Sequence, residues 1–303
     1  MRVANGFFSA TVRLSLANDN IALANSLAQT SSERRVLLPS DDAVASVRLR
    51  MLARDSTMLD QYRENIGQLQ VRMRQDELRL RDIGQGIASA HDAMLWALNG
   101  SNTSADLLSM ATPLRATMDQ MLASANSTDS AGNYMFSGTL TTTAPIAYNP
   151  SAAPGSRYSY AGNSETQQVV IGNDLTHSAN SNVQDLAEVL NKMDVAVQAL
   201  QIPGARINDP AVRAQISAAE AALNQAVDTN AGVVSRIGSV LKMLGELDNR
   251  HAAMQVSNQE ASRQADGFDM AEVYDQMTQQ KVAIEATYKV YGKIMQLNPF
   301  DLL

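Results

Sequence analysis

Acid-base or metal chemistry would most naturally fall to the three histidines, His91, His177 and His251, because imidazole titrates near neutrality and ligates divalent metals. They lie in different segments with no second ligand at helical spacing, so neither a histidine metal site nor a Ser-His-Asp arrangement has support. Cysteine is absent, which removes thiolate nucleophiles, disulfide frameworks, Cys-ligated zinc and iron-sulfur clusters together. The adjacent carboxylates Asp41 and Asp42 could form a dyad or hold a metal, but they follow Pro39 and Ser40 at a point where one helix must stop and another begin. There Ser40 or Asp41 can cap the free N–H groups of the next helix, and Asp42 in its first turn meets the positive end of the dipole. Pro39, Ser40, Asp41 and Asp42 therefore form a helix-start motif. Gly84-Gln85-Gly86 lacks the third glycine and the preceding strand of a dinucleotide site, no Gly-x4-Gly-Lys loop exists, and the two glycines are expected to mark a slight bend. Arg63, Arg72, Arg74, Arg79 and Arg81 alternate with Glu64, Asp76, Glu77 and Asp82, the pattern of a solvated, salt-bridged helix face. No catalytic, cofactor-binding or metal-binding set emerges, and no enzyme is expected.

Composition narrows the class further. A net charge of -7 argues against a nucleic-acid binder that rests on a basic surface. No apolar run reaches the 18 residues of a membrane span. Asn5, Asn18, Asp19 and Asn20 interrupt every apolar stretch near the beginning, so no signal-peptide core is expected. The 303 residues are 45% apolar but only 5% aromatic, a palette for helix faces more than for sheet sandwiches.

The eight prolines leave residues 40–112 and 211–298 free of the strongest helix breaker. Across 43–98 apolar residues from Val44 and Val47 to Met94 and Ala97 recur at alternating steps of 3 and 4, missing near Asp55 and at Asp76; this predicts one coiled-coil-like helix roughly 80 Å long. The short loop 99–104 folds a second helix, 105–125, back antiparallel. Between 133 and 182 charge nearly vanishes, and 134–136, 146–148, 157–160 and 168–171 are expected as short strands. Helical periodicity returns at Leu186–Leu200 and again after Pro210, where Val212, Ile216, Leu223 and later apolar positions keep the same spacing. The expected fold is mainly α, an elongated antiparallel helical rod of coiled-coil type with a small β-rich insertion. Its segments are 1–39 (N-terminal assembly helix and turn), 40–130 (first half of the rod), 131–183 (insertion), 184–265 (returning half) and 266–303 (C-terminal assembly helix).

Each terminus carries its own heptad. Phe7, Leu14, Ile21 and Ala28 fall seven apart, with Ala10, Ala17 and Ala24 three beyond the first three. Met270, Met277, Ile284 and Tyr291 also repeat every seven, flanked by Tyr288 and Met295 and interrupted by Gln280 and Lys281. Neither seam has an obvious internal partner unless the ends meet each other or another copy. In a lone chain these helices are expected to be largely disordered and to fold on association. Phe7, Leu14, Ile21, Ala28, Met277, Ile284, Tyr288, Tyr291 and Met295 are the candidate subunit-assembly residues.

Several motifs together resemble the bacterial flagellin superfamily. Residues 27–36, Leu-Ala-Gln-Thr-Ser-Ser-Glu-Arg-Arg-Val, followed by Pro39-Ser40-Asp41-Asp42, are similar to the family's Leu-Ser-Ser-Gly-x-Arg and Pro-Ser-Asp-Asp-Pro pattern, with Glu33 in place of the usual Gly and Ala43 in place of the Pro. The opening Met1-Arg2-Val3, the stretch 132–138 with Thr143-Ala144-Pro145, and the closing Pro299-Phe300-Asp301-Leu302-Leu303 look more like the branch that sits between hook and filament than like the filament subunit. The resemblance implies export by the flagellar type III apparatus and an extracellular place at the hook-filament junction. It also implies a ring of copies touching the first hook-associated protein and flagellin, and a cytoplasmic export chaperone. A filament-forming flagellin with a reduced outer domain is the alternative, and an intracellular coiled-coil scaffold a more distant one.

Overall fold

A computed structural model describes the backbone of residues 2–296 and the side chains of 7–293. The closing motif at Pro299 and the side chains of Met1-Arg2-Val3 lie outside the described residues. Ten elements follow in order: α1 Arg2–Ser32, α2 Ala43–Ala97, α3 Ser104–Ala125, β1 Ile146–Tyr148, β2 Tyr158–Tyr160, β3 Gln168–Gly172, β4 Leu175–Ser178, α4 Gln184–Leu200, α5 Pro210–Asp266 and α6 Met270–Gln296. The chain is mainly α with a small β-rich insertion, as the periodicity predicts. Its packing separates two units, Met1–Leu59 with Ala253–Leu303, and Asp60–Ala252, so α2 and α5 each contribute to both. The helices α3 and α4, which are available to cover α2 and α5, belong wholly to the unit Asp60–Ala252.

Nearly all of the core lies in that unit. The α2 stripe Ile66, Leu69, Met73, Leu80, Ile83, Ile87, Ala90, Met94 and Ala97 is buried against α3, α4 and α5. Thr103 caps α3 in a reciprocal box with Asp106, which fixes the end of the α2–α3 hairpin. A Cβ at Gly84 would meet Asn230 at 2.5 Å and one at Gly86 would meet Met121 at 2.6 Å, so glycine here permits close helix approach. Asn230 donates to the Leu80 carbonyl at 3.0 Å across that contact. Of the α2 arginines, Arg63 pairs with Asp248, Arg79 with Asp82 and Arg81 with Glu77, the salt-bridged face read from the sequence.

The insertion is two antiparallel hairpins, β1–β2 and β3–β4. Side-chain amides cover edge groups that a short ribbon would leave open. Asn126 both donates to and accepts from Ile146 of β1 (2.8 and 2.9 Å). Asn191 of α4 does the same for Tyr158 of β2 (2.7 and 3.0 Å), tying the hairpin to the helix. The expected strand at 134–136 is not one: Tyr134 makes an isolated bridge to Thr128, and Phe136 is fully buried ahead of a turn at Gly138. Conversely β4 is hidden in the sequence, because Leu-Thr-His-Ser lacks apolar alternation; the Asn173-Asp174 turn, with Asp174 at φ 53, is its one local signal.

Two aspartates, Asp76 and Asp194, are buried in this core. Asp194 is fully buried and accepts from Arg115 and Arg157 at 3.1 and 3.2 Å, which bridges α3, α4 and the approach to β2. Asp76 fills the gap in the α2 seam at 1% exposure, and its Oδ1 has no hydrogen-bond partner. Burial pushes its carboxyl up to about 7, opposed only weakly by Arg72. The folded chain therefore holds a proton there that the unfolded chain releases near pH 4, and stability must fall as pH rises from about 4 to about 7. The penalty above that window is at most about 4 kcal/mol. Asp76→Asn should remove this slope and raise the melting temperature at pH 7.5 while changing little at pH 4; equal effects at both pH values in thermal melts would contradict a protonated Asp76.

Candidate assembly surface

In the unit formed by Met1–Leu59 and Ala253–Leu303, apolar residues are arranged in the opposite sense. Only Val36, Ala45, Leu59 and Val273 of its described apolar residues are buried. A helix pair can cover one stripe on each helix, and α1 and α6 do this with each other. On α6 the less exposed stripe is Val273, Met277, Gln280, Ile284, Thr287 and Tyr291; on α1 it is Val12, Leu16, Asp19, Leu23, Ser26 and Thr30. Both run at alternating steps of 3 and 4, the spacing of coiled-coil seams. Inside this seam the buried Ser26 hydroxyl donates to Gln280 at 3.2 Å, so the polar interruption fixes register between the two helices.

The sequence-derived assembly residues thus divide. Met277, Ile284 and Tyr291 face α1 and are half-buried, so the C-terminal heptad does have an internal partner. The ends thus meet each other, one of the two arrangements the sequence leaves open, with α1 and α6 packed together as helices. Sequence reading missed the α1 stripe that receives them because Ser9, Asp19, Ser26 and Thr30 make it polar; Leu16 and Leu23, seven apart, were its signal. Phe7, Leu14, Ile21 and Ala28 lie on the other side of α1 and are bare, the first three at 77, 64 and 60% exposure. Ala10, Ala17 and Ala24 are exposed beside them. Tyr288 is exposed on α6, and the side chain of Met295 lies outside the described residues.

The turn between α1 and α2 positions this pair. Helix α1 ends with Arg34 N–H donating to the Gln29 carbonyl at 3.2 Å, a Schellman-type closure that needs a left-handed residue before Arg34. Glu33 occupies it at φ 53, the position where the resemblance expects glycine. Beyond it the Arg35 and Val36 amides both donate to the Asp266 carboxylate (2.9 and 3.1 Å), and the Arg35 guanidinium donates to the Asp266 carbonyl and to Asp42 (2.6 and 3.0 Å). Asp42 caps α2 through the Ala45 amide at 2.9 Å, and that bond, followed by Arg35, holds its carboxyl below the usual aspartate range. Asp41 instead turns back to accept from the Leu37 and Leu38 amides, and Pro39 and Ser40 are exposed. The cap is therefore Asp42 rather than Ser40 or Asp41, because Asp41 is engaged by the preceding turn. No bound chemistry is needed to explain either carboxylate. The histidines sit apart with separate partners: His91 with Glu220, His177 with the Ser178 carbonyl, His251 with the Ile171 carbonyl.

No protein-family model matches the chain. Among curated proteins it is 27% identical over 295 residues to the flagellar hook-associated protein 3 of Escherichia coli and 24% identical over 287 residues to that of Salmonella typhimurium, each match covering 90% of both chains. A solved structure, a flagellar hook-associated protein from Vibrio parahaemolyticus, matches with a TM-score of 0.66 at 28% identity, over 74% of this chain and 99% of its own. These similarities support the resemblance drawn from residues 27–42 and the insertion.

Replacing Asp266 with Ala should leave two amides without acceptors, one of them on buried Val36, a loss of order 1–3 kcal/mol. Amide exchange at Arg35 and Val36 should accelerate by at least tenfold while the main melting transition stays in place; unchanged exchange would show that this junction is held by something else.

Proposed function

From the premise that the homologues of this chain are flagellar hook-associated proteins 3, we propose that it is a structural subunit of the bacterial flagellum, joining hook to filament by association and not by catalysis. Its partners in this reading are copies of itself in a ring, the first hook-associated protein on the hook side and flagellin on the filament side. An export chaperone would hold it in the cytoplasm before passage through the type III apparatus to the extracellular junction. Filament-forming flagellin is not favoured by the relatives it matches.

The observation that carries this reading is the bare Phe7, Leu14 and Ile21 stripe on a helix whose one covered face among the described residues is occupied by α6. A solvent-facing row of large apolar residues with alanines beside it is costly in a lone molecule and favourable between copies, where small residues let backbones approach. Burial of each large side chain contributes roughly 1.5–3 kcal/mol, so a few per subunit offset the ordering of the helix pair. The α1–α6 pairing covers one stripe on each helix before docking, which lowers the ordering cost of docking without removing it.

Leu14→Asp places a charge in the middle of the bare stripe without touching the α6 contact. Purified protein should melt as the parent does, within about 0.5 kcal/mol, whereas cells carrying the change should lose attached filaments. Filaments of normal number and length on those cells would remove Leu14 from the assembly surface.

A further inference from the structure

Asparagine followed by glycine can cyclise, because glycine has no Cβ to hold its amide nitrogen away from the asparagine side-chain carbonyl. The pair occurs as Asn5-Gly6 within α1 and as Asn99-Gly100 in the turn between α2 and α3. Asn99 and Gly100 are both exposed, and a Cβ on Gly100 would meet nothing within 4 Å. The Asn99 Oδ1 accepts from the Ser101 amide at 3.2 Å and from the Ser101 hydroxyl at 3.1 Å, closing an Asx-type turn. Among the described residues neither the Asn99 Nδ2 nor the Gly100 amide makes a hydrogen bond.

Other asparagines ahead of a small residue are built differently. Asn126, Asn163 and Asn180 each precede a serine, and each has its side-chain amide held at both ends. Ile146 holds Asn126, Thr139 holds Asn163, and the Gln167 amide with the Glu165 carbonyl holds Asn180. Turning any of these toward the next backbone nitrogen breaks bonds to both its oxygen and its nitrogen. Asn99 is held by its oxygen alone, which leaves the nitrogen free to depart.

We propose that Asn99 is a site of spontaneous deamidation. The Gly100 amide loses its proton to water or hydroxide, and its nitrogen attacks the Asn99 Cγ. A new C–N bond forms, the bond from Cγ to Nδ2 breaks, and Nδ2 takes up a proton from solvent and leaves as ammonia. The resulting succinimide is opened by water at either imide carbonyl, to aspartate at one and to isoaspartate at the other. One water is consumed and one ammonia released, with no oxidant, metal or enzyme. The two Ser101 donors face the oxygen on which negative charge gathers during the attack. They also receive the aspartate product, whose carboxylate accepts them as charge-assisted bonds. The isoaspartate product instead adds a backbone carbon to the turn just ahead of the Thr103–Asp106 cap of α3.

The full chain would be incubated in mildly alkaline buffer, once folded and once in urea, and its peptides followed by mass spectrometry for the gain of one mass unit. Dividing each asparagine's folded rate by its rate in urea cancels the effect of the following residue. Asn126, Asn163 and Asn180 should slow at least tenfold on folding, whereas Asn99 should keep its rate. An Asn99 slowed as much as those three overturns the proposal, as does an Asn99 whose mass never changes in the folded chain. Gly100→Ala adds a methyl group into open space, so it should leave the melting temperature in place while cutting the folded rate at Asn99 at least tenfold. An undiminished rate in that variant overturns attack by the Gly100 nitrogen. Neither result bears on the flagellar reading, from which this site is independent.

Discussion

A pair of α-helices can bury one stripe on each member and no more, and that limit governs this molecule. Where α3 and α4 join α2 and α5, the long helices find neighbours on enough sides to bury a continuous seam, and a core results, while Val71, Leu78, Leu95 and Leu108 on their outer faces stay exposed. Where α1 meets α6, a single seam is covered and the remaining apolar positions face water. The same residue types thus act as core in one unit and as surface in the other. The difference lies in how many helices are within reach, not in composition.

Polar groups do the positioning in both units. Asn126 and Asn191 pair with backbone as a third and fourth strand would, so a ribbon of three-residue strands can sit on α4 without open edges. The Asp266 carboxylate gathers the Arg35 and Val36 amides, and Arg35 links it to the cap of α2, so three helix ends share one charged junction. Asp42 is shifted below the ordinary aspartate range because the Ala45 amide and Arg35 favour its charged form, so its contribution is present above that range and is lost as pH falls below it. Asp76 behaves in the opposite sense, since desolvation outweighs the attraction of Arg72 and its Oδ1 has no hydrogen-bond partner.

Helices and their ends were legible because the signals are local: 3.5-residue periodicity, the Pro39 break and the proline-free blocks. The gap that Asp76 leaves in the α2 seam was visible as well, though not its burial. Face assignment was only half legible. The regular Phe7, Leu14, Ile21 heptad drew attention to the bare side of α1, while the covered side, broken by Asp19 and Ser26, had no apolar continuity to announce it. Periodicity says that a stripe exists and is silent on which of two stripes a neighbour takes. The role of Gly84 and Gly86 was likewise hidden, since it depends on Asn230 and Met121, far away in sequence. Glu33 was noticed as a departure from a glycine pattern, and its φ of 53 shows that the backbone requirement persists although the residue has changed.

Amide hydrogen exchange compares the two conditions that matter, the dilute monomer and the assembled flagellum. In the monomer, amides of α1 and α6 should exchange orders of magnitude faster than those in the buried parts of α2 and α3, and assembly should slow them to the same range. Equal protection of α1, α6 and α3 in the dilute monomer would mean that the helix pair is stable without neighbours, and the account of its bare stripes as assembly surface would fail.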